Sequence, residues 1–274
     1  DYDKQVGYYQ RMPAKVWRKL LADLMDWGIQ LRVMRFYYLG EPLLYPDLAK
    51  MIAGARAFAD RLELTTNASL LTEQRSKDLL ASGLDYLKVS VYGTTRLEYA
   101  MATFSRFTYA DILENVWRLR KLRDLAGLSR PWIHAQLVSQ DADPKRFLRQ
   151  WKSTVDQVDV HGLHNWGSTQ SLVQLGRDTA LPSPIVCAKP FYEMALHANG
   201  DVSVCCADWN RQLVIGSILK QTLKQLWEGD ALKLIQTLHR TGRRSELASC
   251  RDCTLINEQR DNLDSLVGME AHAV

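Results

Sequence analysis

Residues 61–93 read RLELTTNASLLTEQRSKDLLASGLDYLKVSVYG, and this stretch decides the fold. A short strand runs into a polar turn at Asn67, and a helix follows with Thr72 in the N-cap position and Gly83 after its last turn. A second apolar run then closes on Gly93. Because parallel strands need a crossover connection, this order of elements predicts one parallel βαβ unit.

The same alternation continues on both sides of this unit. The pattern predicts helices at 13–27, 46–59, 109–127 and 143–154, and strands at 29–40, 131–140 and 155–163. We therefore expect an α/β fold, either a doubly wound parallel sheet or an open barrel, in which ligands gather at the carboxyl ends of the strands. These ends are LGEP (39–42), TTNAS (65–69), SVYG (90–93), residues 136–139 and HGLHNWG (161–167).

Composition and charge narrow the class of protein. The 274 residues are 46% hydrophobic and 24% charged, as in an ordinary globular protein. The net charge of +4 comes from interleaved acidic and basic residues, so we expect no nucleic acid partner. The sequence has neither a long uncharged apolar stretch nor a signal-peptide pattern, which predicts no membrane association and a cytoplasmic location.

After residue 168 the regular alternation of strands and helices gives way to a polar, proline-containing stretch. We predict an α/β domain at 1–168, a linker at 169–186, a small α+β domain at 187–256 and a C-terminal tail at 257–274. Within the small domain, HANGDVSVCC carries the Asn-Gly dipeptide of a β-hairpin, and a single helix is expected at 222–240.

All five cysteines lie after residue 186, which suits a local metal site better than a disulfide framework. Cys187, Cys205 and the CxxC fork at Cys250 and Cys253 supply four thiolates for one centre. Cys206 follows Cys205 directly, and adjacent side chains of a strand point to opposite faces, so we expect only Cys205 to be a ligand. Thiolate chemistry alone leaves both an iron-sulfur cluster and a structural zinc open.

Several of these segments resemble radical S-adenosylmethionine (SAM) enzymes with a C-terminal SPASM or twitch extension. LGEPLLYPDL (39–48) resembles the family's glycine-glutamate-proline motif, and CAKPFYEMALHANGDVSVCC (187–206), IGSILKQTLKQLWEG (215–229) and CRDC (250–253) resemble the extension. The resemblance implies a partial (β/α)6-type barrel without its first strand and a twitch domain. It also implies one auxiliary [4Fe-4S] cluster on Cys187, Cys205, Cys250 and Cys253. For SAM it implies contacts from Gly40, Glu41, Pro42, Asn67 and Ser90, and Gln136 is within the same predicted rim.

The sequence departs from this family in one respect. The CxxxCxxC loop that holds the SAM-cleaving [4Fe-4S] cluster is absent. The sequence begins about where this loop should have ended and also lacks the first strand, so we expect it to be an N-terminally incomplete record of a longer protein that carries this second cluster, rather than a naturally clusterless homologue. Without that cluster, the chain as written could not generate the radical.

The resemblance implies a radical SAM oxidoreductase. A 5'-deoxyadenosyl radical would abstract a substrate hydrogen, and the auxiliary cluster would aid oxidation of a small polar, sugar- or cyclitol-like substrate, with flavodoxin or ferredoxin as electron donor. A peptide-modifying enzyme, a noncatalytic iron-sulfur partner and a zinc-stabilised binding protein remain alternatives. For substrate contacts we name His161, His164, Asn165 and Trp166, which could instead close the barrel onto the linker. No catalytic residue is assigned.

Overall fold

The computed structural model describes residues 11–139, 142–161, 184–258 and 263–267. These residues form two compact units. Residues 28–161 make up the sheet unit, and residues 11–27, 184–258 and 263–267 make up the cysteine unit. The first helix, α1 (Ala14–Trp27), was expected with the strands but groups with the cysteine unit. The domain boundaries proposed from the sequence stay a prediction.

The sheet unit contains five parallel strands that lie side by side in the order of the chain. They are β1 (Leu31–Phe36), β2 (Ala59–Thr66), β3 (Tyr86–Val91), β4 (Trp132–Val138) and β5 (Gln157–His161). The unbroken parallel order confirms the α/β fold class and brings every strand end named above to one edge of the sheet.

Helices connect successive strands and begin where the sequence supplies caps. They are α2 (Leu48–Ala55), α3 (Glu73–Ala81), α4 (Arg96–Thr103), α5 (Tyr109–Leu125) and α6 (Pro144–Trp151). Thr72 caps α3 as predicted, and Thr108 forms a capping box with Asp111 at the start of α5. Helix α4 was not predicted, although Thr95 caps it by accepting from the backbone N–H of Glu98.

The two faces of the sheet differ in chemistry because side chains alternate along each strand. One face is apolar and buried, and its central residues are Leu62, Leu64, Leu87, Val89, Val91, Ile133, Ala135 and Leu137. The opposite, polar face carries Arg35, Arg61, Glu63, Tyr86, Lys88, Ser90, His134, Gln136, Gln157 and Asp159.

Two aspartates fasten the amino-terminal edge of the sheet in the same way. Asp85 precedes β3 and accepts from the backbone N–H of Leu62 in β2, at 2.8 Å. Asp156 precedes β5 and accepts from the N–H of Ile133 in β4, at 2.7 Å. Each carboxylate is also paired with arginine, Asp156 with Arg123 of α5. Each aspartate thus ties two neighbouring strands to a preceding helical segment.

The cysteine unit contains the predicted hairpin. Its strands are β6 (Ala195–Leu196) and β7 (Asp201–Ser203), joined at Asn199-Gly200, and β8 (Val214–Ser217) adds a third antiparallel strand that was not predicted. Gly200 has φ +92°, and a Cβ there would lie 2.9 Å from Leu219 Cγ. Glycine is therefore required at this turn by both backbone conformation and space.

The helix predicted at 222–240 is wrong in one respect, because it is two helices. They are α7 (Leu223–Trp227) and α8 (Asp230–Arg240), and α9 (Ala248–Arg251) follows. Gly229 is extended and forms the N-cap of α8, which ends the first helix. The buried Asp23 of α1 accepts from the backbone N–H of Leu223 at 3.1 Å and so docks α1 against the start of α7.

None of the helices in the described ranges is long and apolar enough to cross a lipid bilayer.

Candidate cofactor sites

Glu41 joins the ends of β1 and β2. Its carboxylate accepts from Thr66 Oγ1 at 2.6 Å, from the backbone N–H of Asn67 at 2.8 Å and from that of Leu43 at 2.9 Å. Burial raises the pKa of Glu41, and these three hydrogen bonds oppose the rise. Since a carboxylate offers about four acceptor positions, one direction remains for an external donor such as an ammonium group.

The turn that follows β2 is held on several sides. Asn67 Oδ1 accepts from the N–H of Ser69 at 2.9 Å, and Asn115 of α5 donates to the carbonyl of Ala68 at 3.0 Å. Ala68 itself lies in the left-handed region, with φ +57°. A non-glycine residue in this conformation costs free energy that the surrounding contacts must offset, which is typical of functional turns.

A cavity of about 410 Å³ opens beside this turn. It is lined by Asn67, Ser69, Tyr92, Tyr99, Ala102, Thr103 and Ser105. The cavity therefore lies at the carboxyl ends of β2 and β3, against helix α4. Its size and its mixture of two phenol rings with amide and hydroxyl groups suit a nucleoside-sized ligand.

The predicted SAM contacts gather at this edge of the sheet. Glu41 and Asn67 are in direct contact, and Ser90 is hydrogen-bonded to Tyr92, which lines the cavity. Gln136 is the register partner of Ser90 in the adjacent strand. Gly40 is exposed, and Pro42 begins the short turn Pro42–Leu44. The structure thus brings these residues together, and their roles toward SAM stay predictions.

Two tyrosines of the cavity were not expected as site residues. The sequence analysis placed Tyr92 only within the strand end SVYG (90–93), and it did not consider Tyr99 because α4 was missed. Burial raises the pKa of Tyr92 and raises that of Tyr99 to about 12, so both phenols are neutral donors at pH 7. The Thr95 cap followed by Glu98 is the signal that could have revealed α4 and Tyr99.

The predicted substrate residues fall mostly outside the described ranges. His161 is the last residue of β5, whereas His164, Asn165 and Trp166 lie outside the described residues. Their contact with substrate stays a prediction.

A chain of polar contacts crosses the polar face of the sheet. The guanidinium of Arg61 lies 4.6 Å from the centre of the Tyr86 ring. The Tyr86 hydroxyl is 2.5 Å from Nδ1 of the buried His134, whose Nε2 is 3.0 Å from Asp159 Oδ2. Gln157 donates to the same carboxylate oxygen at 2.9 Å. This face therefore offers donors and acceptors rather than an apolar wall.

In the cysteine unit, the four predicted ligands converge. Cys187, Cys205, Cys250 and Cys253 all line one pocket. Val204, Leu213, Leu255 and Ile256 are among the apolar residues of its wall. An all-thiol donor set in an apolar pocket fits an iron-sulfur cluster.

The spacing of the sulfurs argues against a single zinc ion. Tetrahedral zinc with Zn–S bonds of 2.3 Å needs sulfurs about 3.8 Å apart. Within the described part of the chain, no three of the four sulfurs lie within 4.8 Å of one another. A four-iron cluster places each thiolate on a different iron, and it therefore accommodates this wider arrangement.

Cys206 contacts Cys205 but does not line this pocket, and it lies near Lys189 and Glu193. Ligand atoms of Glu193, Cys205 and Cys206 lie within 4.8 Å of one another. However, the Lys189 ammonium is 2.8 Å from the Glu193 carboxylate and 3.8 Å from Cys206 Sγ. A cation already occupies this trio, so it is a poor metal site.

Burial and neighbouring thiols raise the pKa of three pocket cysteines, Cys187, Cys205 and Cys250, and so favour their protonated form. Burial raises the pKa of Cys187, and burial with repulsion from Cys187 and Cys253 raises that of Cys250 to about 12. The contact with Cys206, followed by burial, raises the pKa of Cys205. Cluster binding must therefore release protons, and Lys189 and Arg244 in the pocket wall supply compensating positive charge.

Asp208 connects the two distant cysteine segments. Its buried carboxylate accepts from Ser249 Oγ at 2.8 Å, Ser203 Oγ at 3.2 Å, the N–H of Gln212 at 3.0 Å and the N–H of Leu213 at 2.8 Å. Asp208 lies three residues after Cys205, and Ser249 directly precedes Cys250. This junction fixes the two branches of the pocket relative to each other, and sequence reasoning missed it.

Comparison with known proteins identifies this part of the chain. Residues 187–254 match the SPASM family, described as an iron-sulfur cluster-binding domain. Over 252 residues, the chain is 19% identical to an S-adenosyl-L-methionine-dependent 2-deoxy-scyllo-inosamine dehydrogenase of Niallia circulans. The matched region covers 91% of this chain and 83% of that protein.

Solved structures share the fold of both units. BtrN in complex with AdoMet and 2-DOIA superimposes with a TM-score of 0.59 at 18% identity, covering 90% of this chain and 82% of that chain. Native anSMEcpe with bound AdoMet and Cp18Cys peptide gives a TM-score of 0.58 at 13% identity, covering 88% of this chain and 81% of that chain. At these identities the likeness shows a common fold, which confirms the architecture expected from the sequence.

Proposed function

We propose that this chain is a radical SAM enzyme with a SPASM domain, and that it oxidises a small polar substrate, such as a hydroxyl-bearing sugar or cyclitol, using an auxiliary [4Fe-4S] cluster as electron acceptor. The convergence of Cys187, Cys205, Cys250 and Cys253 on one pocket carries this proposal. Oxidation of an alcohol to a ketone removes two electrons: one would leave with the hydrogen atom that the 5'-deoxyadenosyl radical abstracts, and a second cluster would give the enzyme a place for the other, while the hydroxyl proton is released.

The cavity beside the β2 turn is the proposed SAM site. SAM and its own [4Fe-4S] cluster, when bound and reduced by a donor such as flavodoxin or ferredoxin, supply a 5'-deoxyadenosyl radical that abstracts a substrate hydrogen. The free acceptor direction of Glu41 would bind the ammonium group of the ligand. The side chains of Asn67, Tyr92 and Tyr99 would surround its adenosine part by hydrogen bonding and stacking.

The polar face of the sheet supports the substrate class. Ser90 and Gln136, which are register partners near the carboxyl ends of β3 and β4, lie on this face and offer hydrogen-bonding groups to a polyhydroxylated ring. The likeness to the Niallia circulans dehydrogenase extends over 91% of this chain, which also favours a small-molecule oxidation.

Metal analysis after anaerobic reconstitution with iron and sulfide tests the auxiliary cluster. We expect about four irons and four sulfides on the SPASM domain, lost when Cys187, Cys205, Cys250 or Cys253 is replaced by alanine. Cys206→Ala is the matched control and should retain its iron. A colourless protein that binds one zinc instead would refute the cluster.

The reaction is tested with the natural gene product under reducing conditions. Incubation with SAM and an aminocyclitol probe, 2-deoxy-scyllo-inosamine, should yield 5'-deoxyadenosine and a ketone in equal amounts.

The likeness to peptide-bound anSMEcpe favours one alternative, oxidation of a peptide side chain. Turnover of a serine- or cysteine-containing peptide, with no ketone from polyol probes, would replace the small-molecule proposal.

A further inference from the structure

His239 of α8 is a fully buried histidine in the wall of the cysteine pocket. Its Nδ1 accepts a hydrogen bond from the backbone N–H of Cys187 at 3.2 Å. An accepting Nδ1 carries no proton, so the ring is neutral and its single proton lies on Nε2. In agreement, burial and the nearby Arg244 guanidinium lower the pKa of His239 to about 4.

The Nε2–H of His239 has no hydrogen-bonding partner among the residues that the structure describes. A buried donor left without an acceptor costs about 1–3 kcal/mol, and native proteins rarely carry such groups. Something that binds in the pocket is therefore expected to accept this proton.

The surrounding wall has little acceptor capacity to spare. Val204, Leu213, Leu255 and Ile256 offer apolar side chains there. The Asp208 carboxylate already accepts from two serine hydroxyls and two backbone N–H groups. Among the pocket-lining side chains that the structure describes, the other acceptors are the Ser249 hydroxyl, which already hydrogen-bonds Asp208, and the sulfurs of the four cysteines. The sulfurs, and whatever they hold, are therefore the natural partners of this donor.

We propose that the Nε2–H of His239 donates a hydrogen bond to a sulfur of the cluster held by the four cysteines, and so raises the electron affinity of that cluster. The inference rests on the auxiliary cluster of the proposed function and assigns it a positioning and tuning residue. A hydrogen bond to sulfur stabilises the additional negative charge of the reduced state, which makes reduction more favourable. For an electron-accepting cluster this is the useful direction.

A matched set of variants distinguishes the role of Nδ1 of His239 from that of Nε2. His239→Asn keeps an acceptor near the Nδ1 position for Cys187 but is too short to supply the Nε2 donor, whereas His239→Gln places an amide donor near Nε2. His197→Asn is the control, because His197 is also buried and its pKa is also about 4, yet it hydrogen-bonds Ser203 instead of lining the pocket.

Each variant of the full chain is reconstituted anaerobically with iron and sulfide, and the cluster is titrated by redox potentiometry with EPR detection. His239→Asn should lower the electron affinity about tenfold, which is 59 mV for a one-electron couple. His239→Gln and His197→Asn should stay within threefold of the wild type. An unchanged potential in a cluster-bearing His239→Asn protein would overturn the inference, and this is also the result expected if Nε2 merely binds water.

Labelling provides a second readout that does not depend on the stability of a variant. The reduced wild-type cluster, prepared with [15N]histidine, should show a weak nitrogen coupling in pulsed EPR that His239→Gln removes. Absence of this coupling in the wild type overturns the inference, and so does a coupling strong enough for direct ligation. Failure of the wild type to bind any cluster would instead refute the proposed function.

Discussion

Replacing Glu41 by glutamine tests how the strand ends at the proposed SAM site are fastened. The carboxylate accepts three hydrogen bonds, from Thr66, Asn67 and Leu43. In Glu41→Gln the amide carbonyl can keep the partners of Oε1, but the new NH2 group faces the backbone N–H of Asn67. One charge-assisted hydrogen bond is lost, and two donors are placed against each other.

The loss can be estimated from these contacts. A hydrogen bond to a charged group contributes about 1.5–3 kcal/mol, and opposed donors add to the loss. Relief of the burial that raises the pKa of Glu41 offsets part of it, because a neutral amide is easier to bury. We expect a net loss of about 2 kcal/mol in the free energy of unfolding, or roughly a 30-fold shift in the folding equilibrium.

Urea unfolding at pH 7 measures this loss, with SAM equilibrium dialysis as a functional readout. Glu73→Gln on the exposed surface of α3 is the matched control and should change stability by less than about 0.5 kcal/mol. Thr66→Val removes one donor to Glu41 and also the acceptor of the buried backbone N–H of Ala68, so it should cost about 1–3 kcal/mol. If Glu41→Gln unfolds like the Glu73 control, the carboxylate does not fasten the two strands.

Three further predictions concern other parts of the molecule. Asp156→Ala should destabilise the chain by about 3 kcal/mol, because it removes the acceptor of the Ile133 N–H and the carboxylate paired with Arg123, whose side chain is 6% exposed and keeps Asp124 as its ion-pair partner. Asp85→Ala should cost only about 2 kcal/mol, since its arginine partners are 40% and 69% exposed and can reach water. Equal losses in urea would contradict this difference. His197 has its pKa lowered to about 4, mainly by burial, so stability should fall as pH decreases from 6.5 toward 4, where the unfolded chain takes up a proton that the folded chain refuses. The full loss is about 3 kcal/mol, and His197→Gln should show a correspondingly flatter profile. Gly93→Ala would place a Cβ 2.7 Å from the backbone nitrogen of Tyr99. It should therefore displace α4, lower the free energy of unfolding by about 1–3 kcal/mol and weaken SAM binding. A variant with the wild-type free energy of unfolding and the wild-type SAM affinity in equilibrium dialysis would refute this contact.

Local patterns predicted most of the sheet unit. Periodicity located the strands, and Thr72 and the Asn-Gly dipeptide at 199–200 marked a helix start and a hairpin that the structure confirms. Two elements were misjudged for local reasons as well. The capped helix α4 was overlooked, and Gly229 divides a segment whose apolar spacing looks continuous.

The candidate sites were predictable as residue types but not as networks. The thiols could be proposed from their spacing, and the structure brings all four to one pocket. In contrast, the contact between His239 and Cys187 joins residues 52 positions apart, and that between Asp208 and Ser249 joins residues 41 apart. Such partners follow from the packing of the cysteine unit, which sequence periodicity does not specify.

The junction at Asp208 has a practical consequence for protein engineering. A designer who transplants the CxxC loop of this chain onto another scaffold would naturally take Cys250–Cys253 alone. The segment would then arrive without Ser249, whose hydroxyl links it to the loop that carries Cys205. A functional graft therefore has to include the serine on one side and the aspartate on the other, so the smallest transferable module is wider than its metal-binding residues.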